Sequence, residues 1–344
     1  MGFIYSQLFV TPTYPTTSCA GQTIIVTGSN TGLGKEAARH FVRLGAAKVI
    51  LAVRNTAAGE KAKEDILGSN TKVKSSNVVE VWHLDHADYA SVKAFADRAT
   101  TELERIDVLL LNAGVADDKF LSSNGHERMV DINVISTFYL AFLILPRLQA
   151  TAKRFGIRPR LTVVTSEVHG FSKFPERNES SIFAALQNPD AKNMSERYPT
   201  SKLLEVLVVR EIAPKLHGVT LNMLNPGLCH SELSRDSGMM LEVIKFFLAR
   251  STEVGSRTLV AGAMAGEESH GTYMSDGIVA DEHLSPFVRS EEGKKAQEKV
   301  WTELKGVLEG MEEGVTEGLR CMTEGSGNGT DAGLYASTGI SYAS

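Results

Sequence analysis

From residue 22 onward the chain alternates short β-branched runs with longer segments of helical spacing, and this alternation most limits what it can fold into. Residues 23–27, 48–53, 78–84, 108–111, 161–165 and 219–224 read as strands, with 35–44, 57–67, 89–103 and 201–216 as helices between them. The runs 108–111 and 161–165 are too apolar or β-branched to keep one face in water, as in parallel strands covered on both sides. Strands alternating with helices of this length imply βαβ units. The expected fold is therefore α/β: a doubly wound parallel sheet in three layers, α/β/α.

No linker divides the chain near its middle, so one domain over 21–285 accounts for it better than two, although 344 residues at roughly 150 per domain admit either. Residues 1–20 form a lead and 286–324 a C-terminal helical extension. Residues 325–344, rich in Gly, Ser, Thr and Ala, read as a flexible tail.

Composition removes several function classes. With 36 Lys+Arg against 41 Asp+Glu the net charge is −5, so no basic field steers the chain toward nucleic acid. Cys19, Cys229 and Cys321 lie far apart without metal-ligand spacing, which argues against a disulfide framework or a structural zinc. The apolar stretch 132–146 contains Asn133, Ser136 and Thr137 and falls short of the ~18 residues of a membrane span; it reads as a buried helix. Residues 1–19 lack a basic start and are broken by Pro12 and Pro15, unlike a signal peptide, so a reducing, cytoplasmic setting is expected.

Thr27-Gly28-Ser29-Asn30-Thr31-Gly32-Leu33-Gly34 follows the first strand and opens the first helix. Glycines there let the backbone turn tightly and approach a pyrophosphate, which the helix N-terminus attracts with unpaired N–H groups. Folds that hold a free ribose 2′-hydroxyl place an acid ~20 residues further on. This chain has Arg54 there, a guanidinium able to pair with a 2′-phosphate, so NADP(H) is favoured over NAD. The alternative is an ordinary solvated arginine. Lys35 adds positive charge nearby.

Tyr198-Pro199-Thr200-Ser201-Lys202 puts a phenol and an ammonium at i and i+4, on one face of a helix. A free tyrosine, with a pKa of ~10, is a poor base at neutral pH. A nearby ammonium favours the phenolate and brings the group toward the working range. Tyr198 would then give a proton to a carbonyl oxygen as hydride arrives, or remove one from an alcohol in reverse.

Together with Asn112-Ala113-Gly114 and Ser166, these motifs fall in the order of the short-chain dehydrogenase/reductase family, whose pattern the chain resembles from about Gly21 to Ser231. Within it the chain is similar to the retinol-dehydrogenase-like single-domain branch and, through Tyr5 to Leu8 and Asn225 to Ser231, to fungal members that act on secondary metabolites. The resemblance implies a Rossmann-type sheet and a catalytic set of Ser166, Tyr198, Lys202 and Asn133. In that set Ser166, favoured over Thr165, stabilises the reacting oxygen. Lys202 also holds the nicotinamide ribose, and Asn133 completes a proton relay through water, its alternative being a cap on a nearby carbonyl.

The resemblance further implies cofactor contacts from Gly28, Ser29, Gly32, Leu33, Gly34, Asn112 and Asp85, the last with a helix N-cap as its alternative. Ser231 stands where relatives carry threonine on the nicotinamide amide. It implies a small-molecule substrate, and relatives often form homodimers through the helices carrying Asn133 and Tyr198.

Ser166 and Tyr198 are 32 residues apart, a longer interval than in many members. The apolar residues of 167–197 (with His169, Phe171, Phe174, Phe183 and Met194) and 234–250 (with Met239, Met240, Phe246 and Phe247) are expected to form a lid over a bulky lipophilic substrate, or else ordinary core. The intact Asn–Ser–Tyr–Lys set favours a carbonyl/alcohol oxidoreductase. The alternative is a cofactor-binding protein of this fold with a non-redox or regulatory role.

Overall fold

The computed structural model describes residues 3–70, 75–189, 194–230 and 249–319. Ser231, most of the expected second lid segment and the 325–344 tail lie outside them.

The strands are β1 (Thr23–Thr27), β2 (Lys48–Val53), β3 (Val79–His83), β4 (Val108–Leu111), a small hairpin of β5 (Ser122–Ser123) and β6 (His126–Glu127), then β7 (Arg160–Val164), β8 (Thr220–Asn225), β9 (Tyr273–Ser275) and β10 (Ile278–Val279). The main sheet runs β3-β2-β1-β4-β7-β8-β9-β10, parallel throughout except for the β9–β10 hairpin. Strand order reverses beside β1, which pairs with β2 on one side and β4 on the other (Ile24 opposite Val49 and Val108). Such a reversal opens a crevice beyond the carboxyl ends of β1 and β4, where α/β sheets bind ligands.

The helices are α1 (Phe3–Phe9), α2 (Gly32–Arg43), α3 (Thr56–Ser69), α4 (Tyr89–Glu102), α5 (Arg128–Phe155), α6 (Ile182–Leu186), α7 (Met194–Ile212), α8 (Thr252–Met264) and α9 (Glu291–Met311). Alternation along the central strands divides the core. Ile24, Val26, Val108 and Leu110 face one cluster with Ala38 and Phe41 of α2 and Leu259 of α8. Ile25, Leu109 and Leu111 face the other, with Phe138 of α5, Leu207 of α7 and Leu304 of α9. These are the three expected layers in a single domain, and the predicted central strands are all present.

Helix starts follow local chemistry: the side chains of Asn55, Asp88 and Ser290 accept first-turn N–H groups of α3, α4 and α9. Asp88 is thus the N-cap that competed with Asp85. Alone among helices of the described residues, α5 is long and apolar enough to cross a membrane, but 89% of its apolar window is buried inside the fold. Phe138, Leu140, Phe142, Ile144 and Leu145 are buried all round it, so α5 is the expected core helix.

The segment 167–197 departs from the expected lid. It forms short 3-10 turns (Glu167–Phe171 and Pro175–Asn178) and α6. Phe174 and Phe183, 1% and 4% exposed, are in the core, and the Phe174 ring meets that of Phe287 at 6.3 Å. Among the aromatic residues expected in 167–197, Phe171 alone is exposed. The helix α9, packed with α5 and α7, gives this insertion something to bury against, which periodicity within the insertion could not reveal.

Candidate active site

The glycine turn is built by latching the ends of β1 and β4. Thr27 Oγ1 accepts the N–H groups of Asn112 and Ala113, each at 2.9 Å, and Asn112 Nδ2 donates to the carbonyls of Thr27 and Gly28 at 2.9 and 3.2 Å. The turn is therefore pressed against the Asn-Ala-Gly segment. A Cβ on Gly28 (φ +63°) would lie 2.9 Å from Ala113 Cα, and one on Gly34 would lie 2.5 Å from Asn112 Nδ2. Gly32 (φ +59°) differs, since a Cβ there meets nothing within 4 Å. Two glycines answer to the protein's own packing, and the third leaves room at the start of α2.

That helix start suits an anion. Its N-cap residue Thr31 makes no side-chain cap and its first turn holds no acid. Ser29 is fully buried with its hydroxyl donated to the Val26 carbonyl at 2.8 Å, so its side chain serves the turn itself. Leu33 packs beside Gly255 of α8. Lys35 is held by Asp65 at 2.7 Å, whereas Arg54, exposed at the end of β2, has no ion pair among the described residues. Asp85 accepts the N–H of Ala87 in a tight turn after β3, and Ser91 Oγ accepts its own N–H. Among the described residues no cluster of His, Cys, Asp or Glu could hold a metal.

One strand further along, the end of β7 meets α7. Thr165 is buried and its hydroxyl donates to the Lys202 carbonyl at 3.1 Å. Ser166 is half-buried, its Oγ accepting only a long bond from Val168 N–H at 3.3 Å. Of the two neighbouring hydroxyls, Ser166 is the one not committed to the interior. Lys202 lies under Tyr198, with Nζ 5.8 Å from the ring centroid, and reaches the Asn-Ala-Gly segment, where a Cβ on Gly114 would sit 3.7 Å from Nζ.

Asn133 occupies a π-helical stretch, Asp131–Ser136, of the kind that recurs at functional sites. Its side chain accepts from Val115 N–H at 2.8 Å and donates to the Val115 carbonyl and to Ser201 Oγ, each at 3.0 Å. Both amide hydrogens are thus committed to protein, and the side chain braces the segment after β4.

Two features were not read from the sequence. The first is Glu205, 2% exposed, whose Oε1 accepts from Lys202 Nζ at 2.8 Å. Burial pushes its carboxyl well above the usual carboxylate range, opposed by Lys202 and Thr165. The available signal was an acid three residues beyond Lys202 in an otherwise apolar run. The second is the docking of α1 on the turn after β8. Gln7 Nε2 donates to the Leu228 carbonyl at 3.0 Å, and Gln7 Oε1 accepts the Leu228 N–H. Arg250 donates to the Ser6 and Val10 carbonyls and to Asp276.

Next to that cluster Glu167, directly after Ser166, accepts from Asn225 at 3.4 Å, and burial pushes its carboxyl up to about 7. His169 is structural: its Nδ1 meets the Ser166 carbonyl at 2.8 Å and its Nε2 accepts the N–H of Ser285.

The pattern described as "short chain dehydrogenase" matches residues 22–171. Over 325 residues the chain is 50% identical to the short chain dehydrogenase/reductase dmxR8 of Cryptosporiopsis sp., covering 92% of this chain and 99% of that one. It is 41% identical over 327 residues to the short-chain dehydrogenase anuD of Penicillium roqueforti, covering 92% and 84%. Among solved structures, a Pseudomonas aeruginosa RhlG/NADP active-site complex shares the fold at a TM-score of 0.57 and 20% identity, covering 79% of this chain and all of that one.

Proposed function

The chain belongs to the short-chain dehydrogenase/reductase family, oxidoreductases of carbonyl and alcohol groups that use a nicotinamide cofactor, and from that premise we propose an NADP-dependent enzyme with Tyr198 as its acid–base group. The observation that carries this reading is Lys202 beneath the Tyr198 ring with its Nζ bonded to the Val164 carbonyl, at the end of β7 two residues before Ser166 and across β4 from the glycine turn. The open space at Gly32, the uncapped start of α2 and the exposed Arg54, without an ion pair among the described residues, fit a dinucleotide bearing a 2′-phosphate.

The nicotinamide, when bound, supplies hydride to a carbonyl carbon or takes it from an alcohol. Tyr198 gives its phenolic proton to the carbonyl oxygen, which becomes the alcohol, and the phenolate then regains a proton from solvent. Ser166 donates a hydrogen bond to that same oxygen as its negative charge develops. Lys202 stabilises the phenolate that remains, and Asn133 keeps Val115 and the Asn-Ala-Gly segment in place around Lys202. The exposed Phe171, five residues beyond Ser166, and the fungal relatives support a bulky lipophilic substrate, such as an intermediate of secondary metabolism.

A panel of ketones and aldehydes incubated with NADPH, followed by loss of the reduced-nicotinamide absorbance, tests the proposal. At least one substrate is expected to be reduced, and Tyr198→Phe is expected to lower that turnover by about 10²–10⁴-fold, the range for losing a positioned acid. Unchanged turnover in Tyr198→Phe contradicts the mechanism. No turnover across the panel favours a non-redox role.

A further inference from the structure

Lys202 reaches the site already paired with an acid. Its Nζ donates to Glu205 Oε1 at 2.8 Å and to the Val164 carbonyl at 3.1 Å, and the two residues are 4% and 2% exposed. An ammonium has three N–H bonds. Two of them point inward here, leaving one for the site. The nearby carboxylate also opposes the field that Lys202 projects on Tyr198, and in so buried a place such a field is strong.

We propose that Glu205 is a positioning residue that holds Lys202 Nζ and offsets its charge, so that Tyr198 stays a protonated phenol, the form needed for carbonyl reduction. The proposal deepens the oxidoreductase reading and rests on it. Reduction needs the phenol and oxidation the phenolate, so the offset carries reduction to higher pH and delays the rise of oxidation by the same interval. Burial, opposed by Lys202 and reinforced by Glu205, raises Tyr198 above the usual phenol range.

Apart from Arg210, about three turns beyond Tyr198 on α7, whose Nε has no hydrogen-bond partner among the described residues, the other titratable groups named around α7 have their own partners. Glu167 is bonded by Asn225, and His169 by Ser166 and Ser285. From α5 and the turn before it, Asp131 is held by Tyr89 and Asn124, Arg128 by Asp117, and Glu127 caps Met129 and Val130. From α9, Glu303 accepts the N–H groups of Ile182 and Phe183, while Gln297 meets Glu211, which also holds Lys215. On α7 itself Glu196 pairs with Lys173 and Arg197 with Glu176. None of these pairs with Lys202 or Glu205, so among the described residues these two are the charges that act on Tyr198.

The test needs neither cofactor nor substrate. The ultraviolet phenolate band is titrated in the full chain and in Tyr198→Phe, with and without Glu205→Gln, and the difference isolates Tyr198. Glu205→Gln is expected to lower its midpoint by about one pH unit, or tenfold more phenolate at a given pH. An unchanged midpoint in a Glu205→Gln chain that circular dichroism shows folded overturns the proposal.

If that variant does not fold, Lys202→Met/Glu205→Leu replaces the pair with apolar groups, an exchange that buried pairs often tolerate. Loss of two offsetting charges is expected to leave the midpoint within a few tenths of a unit, whereas a rise of about one unit overturns the offset. Because the titration is read without turnover, a failed substrate panel with a shifted midpoint removes the oxidoreductase reading alone. Turnover with an unshifted midpoint removes the Glu205 proposal alone.

Discussion

Arg54 follows β2 with its side chain exposed and, among the described residues, without an ion pair, while Lys35 and Arg39 of α2 are both tied to Asp65. A lone surface cation contributes little to stability. Its worth lies in what it can meet, and a 2′-phosphate offers the bidentate partner a guanidinium prefers. Arg54→Ala is therefore expected to weaken NADPH binding by about tenfold, roughly one charge-assisted contact at an exposed site, and to leave NADH almost unaffected. Nicotinamide fluorescence titrations measure both affinities. Equal affinity for the two cofactors, unaltered by the substitution, removes the basis for preferring NADP. Arg54 could be found by counting from the glycines because its position depends only on one βαβ unit. Asn133 was harder to interpret because what decides its role is distant in sequence, Val115 and Ser201, and Ser29 because a local turn, which spacing does not reveal, points its hydroxyl back at the Val26 carbonyl.

At the scale of elements, α1 is the part that local pattern did not reveal. Seven residues carry no readable period, and their position is decided by Arg250, 7% exposed, which joins Ser6 and Val10 to Asp276 at the start of the β9–β10 turn. Contacts between residues 6, 250 and 276 leave no trace in any short window. The strands β9 and β10, three and two residues long, escaped for the same reason, whereas the six longer parallel strands announced themselves as runs rich in β-branched and apolar residues. Arg250→Ala leaves the Asp276 carboxylate, itself largely buried, without its cation and frees the end of α1. Breaking one side of a buried ion pair costs ~3–5 kcal/mol, which urea unfolding should register as a lowered midpoint with a similar slope. A loss below ~1 kcal/mol means that the cluster does not hold α1 in place. Gln7 meets the Leu228 backbone, so the same variant is expected to loosen the turn after β8 as well.

Across the whole molecule, the helix beyond the central sheet changes what the surface can do. The resemblance implies pairing through the helices that carry Asn133 and Tyr198, here α5 and α7, and both of these helices pack against the chain's own α9. Trp301 of α9, 7% exposed, packs its ring 5.7 Å from that of Phe142 on α5, and Val300, Leu304 and Leu308 join the same core. Gln297 of α9 meets Glu211 of α7 at 2.8 Å. A second copy would have to displace this helix, exposing a buried tryptophan and three aliphatic side chains, each worth ~1.5–3 kcal/mol when fully buried. Covering the apolar face from within the chain satisfies it without a partner. The chain is therefore expected to be a monomer at micromolar concentration, with light scattering giving the mass of one chain. Trp301→Ala, which opens a cavity against Phe142 at a cost of ~3–5 kcal/mol, should lower the unfolding midpoint and promote self-association. A stable dimer of the unsubstituted chain, unaffected by Trp301→Ala, would mean that pairing uses a different face and that α9 has no part in preventing it.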